Sequence, residues 1–136
     1  MQKRMTQDII KALAKTPYAS TDGTPKDEKK VIARYFNPCG RGTWYVLEDS
    51  MFFTDPEHKD AEHVEENMIV FAASTLGYGL ELGDISLKEL FDIKLPFGMY
   101  IERDSSVEPR QPRSPLRHHR PRDLARHRRP GRYPRW

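Results

Sequence analysis

The sequence holds one cysteine, Cys39. No internal disulfide can form, so a small secreted scaffold stapled by disulfides is excluded and a cytoplasmic location is the expectation. No apolar stretch reaches the ~20 residues of a membrane-spanning helix. The longest, "MIVFAASTLGYGL" at 68–80, is interrupted by Gly77 and Gly79. The opening "MQKRMTQDIIKALAKT" carries Lys3, Arg4, Asp8, Lys11 and Lys15, which leaves no apolar segment for a secretory signal. Motifs of catalysis are also lacking: no Gly-x-Gly-x-x-Gly between strand and helix, no His-Glu-x-x-His and no EF-hand loop. These absences predict a protein that is not an enzyme and needs no cofactor or metal.

Charge is abundant but divided along the chain. The net charge of +3 and pI of about 9.0 conceal two opposite parts. Residues 1–104 hold 13 Lys and Arg against 18 Asp and Glu, a net −5, whereas residues 105–136 hold 10 against 2, a net +8. An acidic domain over 1–104 and a disordered Arg/Pro-rich tail over 105–136 are therefore expected. The tail's basic residues are all Arg, and Arg, Pro, His, Leu and Gln fill 22 of its 32 positions. All five have codons beginning with C, the composition that a GC-rich gene read out of frame produces.

Thr6 precedes "QDIIKALAK", where Ile9, Ile10 and Leu13 recur at helical spacing and Pro17 stops the run, predicting a helix over 7–15. "STDGTPKDEKK" is turn chemistry. "KVIARYFNP" and "GTWYVLEDS" read as strands joined by "NPCGRG", which predicts a hairpin with Trp44 and Val46 on one face and Tyr45 and Leu47 on the other. "MIVFAAST" suits a buried strand, and "YGLELG" continues as extended chain. Ser86 and Glu89 form a capping box for a helix from Leu87 to about Lys94, and "FGMYIERD" reads as a last strand. The order predicts a small single α+β domain with a mostly antiparallel sheet and two short helices.

Three segments, "RYFNPCGRGTWYVLE", "GLELGDISLKEL" and "LPFGMYIERD", resemble in order the family called domain of unknown function 2958, over residues 31–104. The resemblance implies the fold of that family and a setting on bacterial plasmids, phages and integrating elements, and it implies no activity. It stops at Asp104, where the composition changes.

Most candidate functional residues have a plainer role. His58 and His63 stand among carboxylates in "DPEHKDAEHVEE", but His-x4-His is not a structural zinc spacing, and the run reads as a solvated acidic surface. Cys39 has Arg41 nearby and no local histidine, and reads as a loop residue. "GYGLELG" lacks the context of a phosphate loop and reads as a bend. Dense negative charge suits a basic partner. The favoured expectation is a binding protein of a mobile element that occupies a basic, nucleic-acid-processing host protein, as an inhibitor of host defence does. Its contacts would be Glu48, Asp49, Asp55, Glu57, Asp60, Glu62, Glu65 and Glu66, with Tyr45 as an aromatic facing the partner. The rival expectation is nucleic-acid binding through Arg117, Arg120, Arg122, Arg126, Arg128, Arg129 and Arg132.

Overall fold

Thr6 begins the first helix as its residue type predicts, its hydroxyl accepting the Ile9 N–H at 3.2 Å. Helix α1 runs over Gln7–Ala14, one residue short of expectation because Lys15 serves as its C-cap, and it buries Ile9, Ile10 and Leu13. The computed structural model describes residues 3–53, 68–75, 79–109 and 115–118. Among the described residues five strands form one sheet: β1 (Ala33–Phe36), β2 (Thr43–Asp49), β3 (Ile69–Ser74), β4 (Glu81–Ser86) and β5 (Glu102–Arg103). Their order is β4-β3-β2-β1-β5, and every pairing is antiparallel. Helix α2 (Leu87–Asp92) starts where Ser86 Oγ accepts the Glu89 N–H at 3.1 Å, the first half of the capping box.

The two faces of β2 go into two separate cores. Trp44 and Val46 join Ile9, Ile10 and Leu13 of α1 and Leu87, Leu90 and Phe91 of α2 in the larger. Tyr45 and Leu47 point the other way and join Val31, Ala73, Val107 and Leu116. The alternation is as the sequence predicts, but neither face is left to solvent. All seven residues of β2 are buried, as in a strand covered on both sides.

The cover of the second face corrects the domain boundary. Leu116, placed by sequence in a tail without a fold, is wholly buried, and Val107 is buried beside it. The Leu116 N–H donates to Lys29 O at 2.7 Å, and Lys30 pairs with Pro115 in an isolated antiparallel bridge. Residues 105–109 and 115–118 thus form a strap over the second face and belong to the packed domain. Composition misjudged this segment because two apolar side chains suffice when the sheet already presents a matching apolar surface. Residues 119–136 lie outside the described residues.

The expected last strand opens on a turn and pairs only near its end. Pro96–Gly98 form a 3-10 turn in which Phe97 takes φ 63°, and the Leu95 N–H donates to Met99 O at 3.0 Å to close it. Pro96 and Gly98 favour this reversal more than their apolar neighbours favour a strand. Only Glu102 and Arg103 remain to pair with β1. Arg4 fastens the start of the chain here: its guanidinium donates to Phe91 O at 2.9 Å and lies 4.6 Å from the Phe91 ring centre. Next to it, burial pushes the Tyr35 phenol far above its ordinary range, against the opposing pull of Arg103 and Arg4.

Candidate interaction surface

A β-bulge decides the fate of the first two predicted contact residues. Val46 pairs with Ala72 and Glu48 with Phe71, so β2 holds one residue more than β3 between these pairs. In regular alternation Glu48 would share a face with Trp44 and Val46. The bulge turns it to the side of Phe71, which packs on the second core. There its carboxylate accepts the Ala19 N–H at 2.8 Å, the Thr21 N–H at 2.9 Å and the Thr21 hydroxyl. Lys29, 5% exposed, completes the cluster by donating to Thr21 O at 2.6 Å and to its hydroxyl at 2.9 Å. The arrangement holds Ala19 in the left-handed region at φ 67°, a conformation that costs a residue with a Cβ about 1–2 kcal/mol.

Glu48 and Asp49 are therefore not part of an exposed acidic face. They are 2% and 0% exposed, and the Asp49 carboxylate accepts the Phe52 N–H at 3.0 Å to shape the end of β2. Tyr45 is likewise no partner-facing aromatic, being fully buried in the second core. Acidic and aromatic residues on a strand suggest an open face only if one side of the sheet is bare, and here both are covered. Asp55, Glu57, Asp60, Glu62, Glu65 and Glu66, with His58 and His63, lie outside the described residues. Of the predicted arginines only Arg117 is described, and it pairs with Glu28, fastening the strap; Arg120, Arg122, Arg126, Arg128, Arg129 and Arg132 lie outside.

Connectivity still fixes where the acidic run is attached. It belongs to the connection between β2 and β3, whose base is closed by the Ser50 N–H donating to Ile69 O at 3.0 Å. Phe53 and Met68, at its two ends, are buried in the larger core. Next to this base, the Leu87 N–H donates to Met68 O at 3.0 Å, which brings the start of α2 alongside. Glu89 in the first turn of α2 is exposed close to this base, Asp84 on β4 is exposed opposite Phe71, two residues along β3 from Ile69, and Glu81 is exposed at the far end of β4, opposite Ser74. Sequence reasoning passed over Glu81 and Asp84 because nothing local tells an edge strand from a central one.

Two further groups stand apart. Arg34 on β1 donates to Asp104 at 2.8 Å, and its guanidinium lies 5.4 Å from the Phe36 ring and 5.9 Å from the Tyr45 ring. Burial alone would raise the Asp104 carboxyl, but the Ser106 hydroxyl, the Ser106 N–H and Arg34 together hold it below its ordinary value. Burial raises the Tyr45 phenol, with Arg34 opposing. This cluster ties the start of the strap to the sheet. The second is Phe97, 95% exposed, with Ile93 and Met99 partly exposed beside it. Cys39 is exposed, its Sγ directed toward Pro96 O at 3.7 Å. Among the described residues no group of three His, Cys, Asp or Glu side chains could hold a metal ion. No described helix is long and apolar enough to cross a membrane.

Residues 4–119 match the model of the family described as protein of unknown function DUF2958. The chain belongs to this family. The match runs past Asp104 and through residues 115–118, which pack on the sheet. No curated protein and no solved structure matches the chain.

Proposed function

We propose that this DUF2958 domain is a non-enzymatic binding protein of a mobile genetic element, one that uses an acidic surface to occupy a basic, nucleic-acid-handling host protein as an anti-CRISPR or anti-restriction inhibitor does. The observation that carries the reading is that Asp84 on β4 and Glu89 in the first turn of α2 stand exposed near the base of the β2–β3 connection, whose sequence holds Asp55, Glu57, Asp60, Glu62, Glu65 and Glu66. Carboxylates gathered at one end of a sheet create a local potential that draws a basic surface and speeds its encounter. Glu48 and Asp49, the buried acidic residues that hold backbone donors, are not among those exchanged in the test, so their contacts are spared.

The test reverses charge at four positions together, Asp55→Lys, Glu57→Lys, Glu62→Lys and Glu66→Lys. The tagged full-length chain and the variant are used to capture proteins from host lysate at low and physiological salt. Loss of a captured nucleic-acid-handling protein, with circular dichroism unchanged, is expected. Equal capture by both chains would remove the acidic surface from the explanation.

A further inference from the structure

β4 ends the sheet, and among the described residues no strand pairs with its outer edge. Its six residues, Glu81–Ser86, pair with β3 along their whole length without a bulge, so the outer row of N–H and C=O groups forms a straight template. Gly83 lies midway, and a Cβ built there meets no atom within 4 Å. A glycine inside a strand lets a second backbone approach closely.

The charges on this edge decide what can pair with it. Glu81 shares the face of Ser74 and Ile85, whereas Asp84 shares the opposite face with Phe71 and Leu82, so an added strand meets a carboxylate on each face. Two copies of β4 side by side would bring four carboxylates to one seam, which disfavours self-pairing. A basic extended segment meets no such penalty. Leu82, 40% exposed, offers an apolar contact between the two carboxylates.

We infer that the outer edge of β4 is the docking line for an extended basic segment of the partner, which adds to the sheet as a sixth strand. Backbone pairing supplies the register, and Glu81 and Asp84 select cations three residues apart on opposite faces of the incoming strand. The inference rests on the proposed acidic binding surface and specifies how the partner is held.

A peptide of about twelve residues repeating Lys-Lys-Thr-Thr shows cations on both faces of a strand and serves as the probe, with a Glu-Glu-Thr-Thr peptide as control. Titrated into the full-length chain, the lysine peptide is expected to bind and to slow amide exchange within 81–86. The double variant Glu81→Lys with Asp84→Lys, at two exposed positions, is expected to bind it about tenfold more weakly. Failure of the lysine peptide to bind at millimolar concentration, equal binding of the control, unchanged affinity in the double variant, or binding that leaves exchange in 81–86 unaltered each overturns the added-strand inference. The acidic-surface reading is judged separately by the reversals at 55–66. Loss of capture there with no protection of β4 leaves that reading standing and removes only the strand, while unchanged capture beside a protected β4 does the opposite.

Discussion

Ending the chain at Asp104, where the composition changes, is expected to strip the second core. Val107 and Leu116 are 7% and 0% exposed, and burying an aliphatic side chain of this size stabilises by about 1.5–3 kcal/mol. Their loss therefore costs about 3–6 kcal/mol, before the newly bared Tyr45, Leu47 and Ala73 are considered. Against a native stability of about 5–15 kcal/mol, such a loss leaves a marginal fold. The Leu116 N–H bond to Lys29 and the Arg117–Glu28 pair go with it, the latter contributing little because both partners are half exposed. Urea unfolding followed by far-ultraviolet circular dichroism measures the difference. A chain ending at His118 keeps these contacts, and its midpoint should stand above that of the shorter chain by the corresponding margin. Leu116→Ala in the full chain is expected to cost about 2–3 kcal/mol, the low end for buried leucine because the strap can settle into the space. Equal midpoints for the two truncated chains would refute the reasoning and return residues 105–118 to the status of an appendage. The same comparison governs the test of nucleic-acid binding through the arginines: truncation after His118 removes Arg120 to Arg132 and spares the core, whereas truncation after Asp104 confounds lost binding with lost fold.

Glu48→Ala removes acceptors for three donors and is expected to destabilise by about 3–5 kcal/mol, with Glu48→Gln costing about half as much; amide exchange at Ala19 and Thr21 should accelerate, and unchanged protection there would show that the carboxylate does not hold the loop. Phe97→Asn relieves a bulky residue held at φ 63° and gives up no buried surface, so thermal unfolding should rise by the equivalent of about 0.5–1 kcal/mol; a fall would mean that the ring has a packing role. Asp104 has a lowered carboxyl pKa, so its contribution is present above the unfolded value near 3.8 and lost as pH falls through the folded value below it. The stability gap between the native chain and Asp104→Asn is accordingly expected to be full at pH 7 and to close below about pH 4, and a gap independent of pH would contradict the assigned ionic contacts.

The local elements were legible because their causes are local. Thr6 and Ser86 are caps whose hydroxyls reach the N–H three residues on, and the alternation through Trp44, Tyr45, Val46 and Leu47 follows from the pleat. The turn at Pro96–Gly98 was carried in its residue types as well, but the apolar residues around it argued for a strand, and one closing hydrogen bond from Leu95 to Met99 outweighed them. The acidic candidates divided for a reason no local pattern contains. A bulge of one residue sends Glu48 inward to backbone donors in a loop 27 to 29 positions away, while Glu81 and Asp84 are left outside by their place at the end of the sheet.

Residue order alone determined the helices, the hairpin, the antiparallel class of the sheet and the family, since capping, pleating and turn chemistry act over a few residues. Tertiary structure decided which described strand forms the edge, which described carboxylates reach solvent and that the packed domain continues past Asp104. Those outcomes depend on what covers each face of the sheet, and the cover of the second face comes from Val107 and Leu116, 60 to 71 positions beyond the Tyr45 and Leu47 they shield. A charged, proline-rich segment reads as solvent-loving by composition, yet two apolar side chains and one backbone hydrogen bond are enough to seat it where the sheet has already prepared the surface.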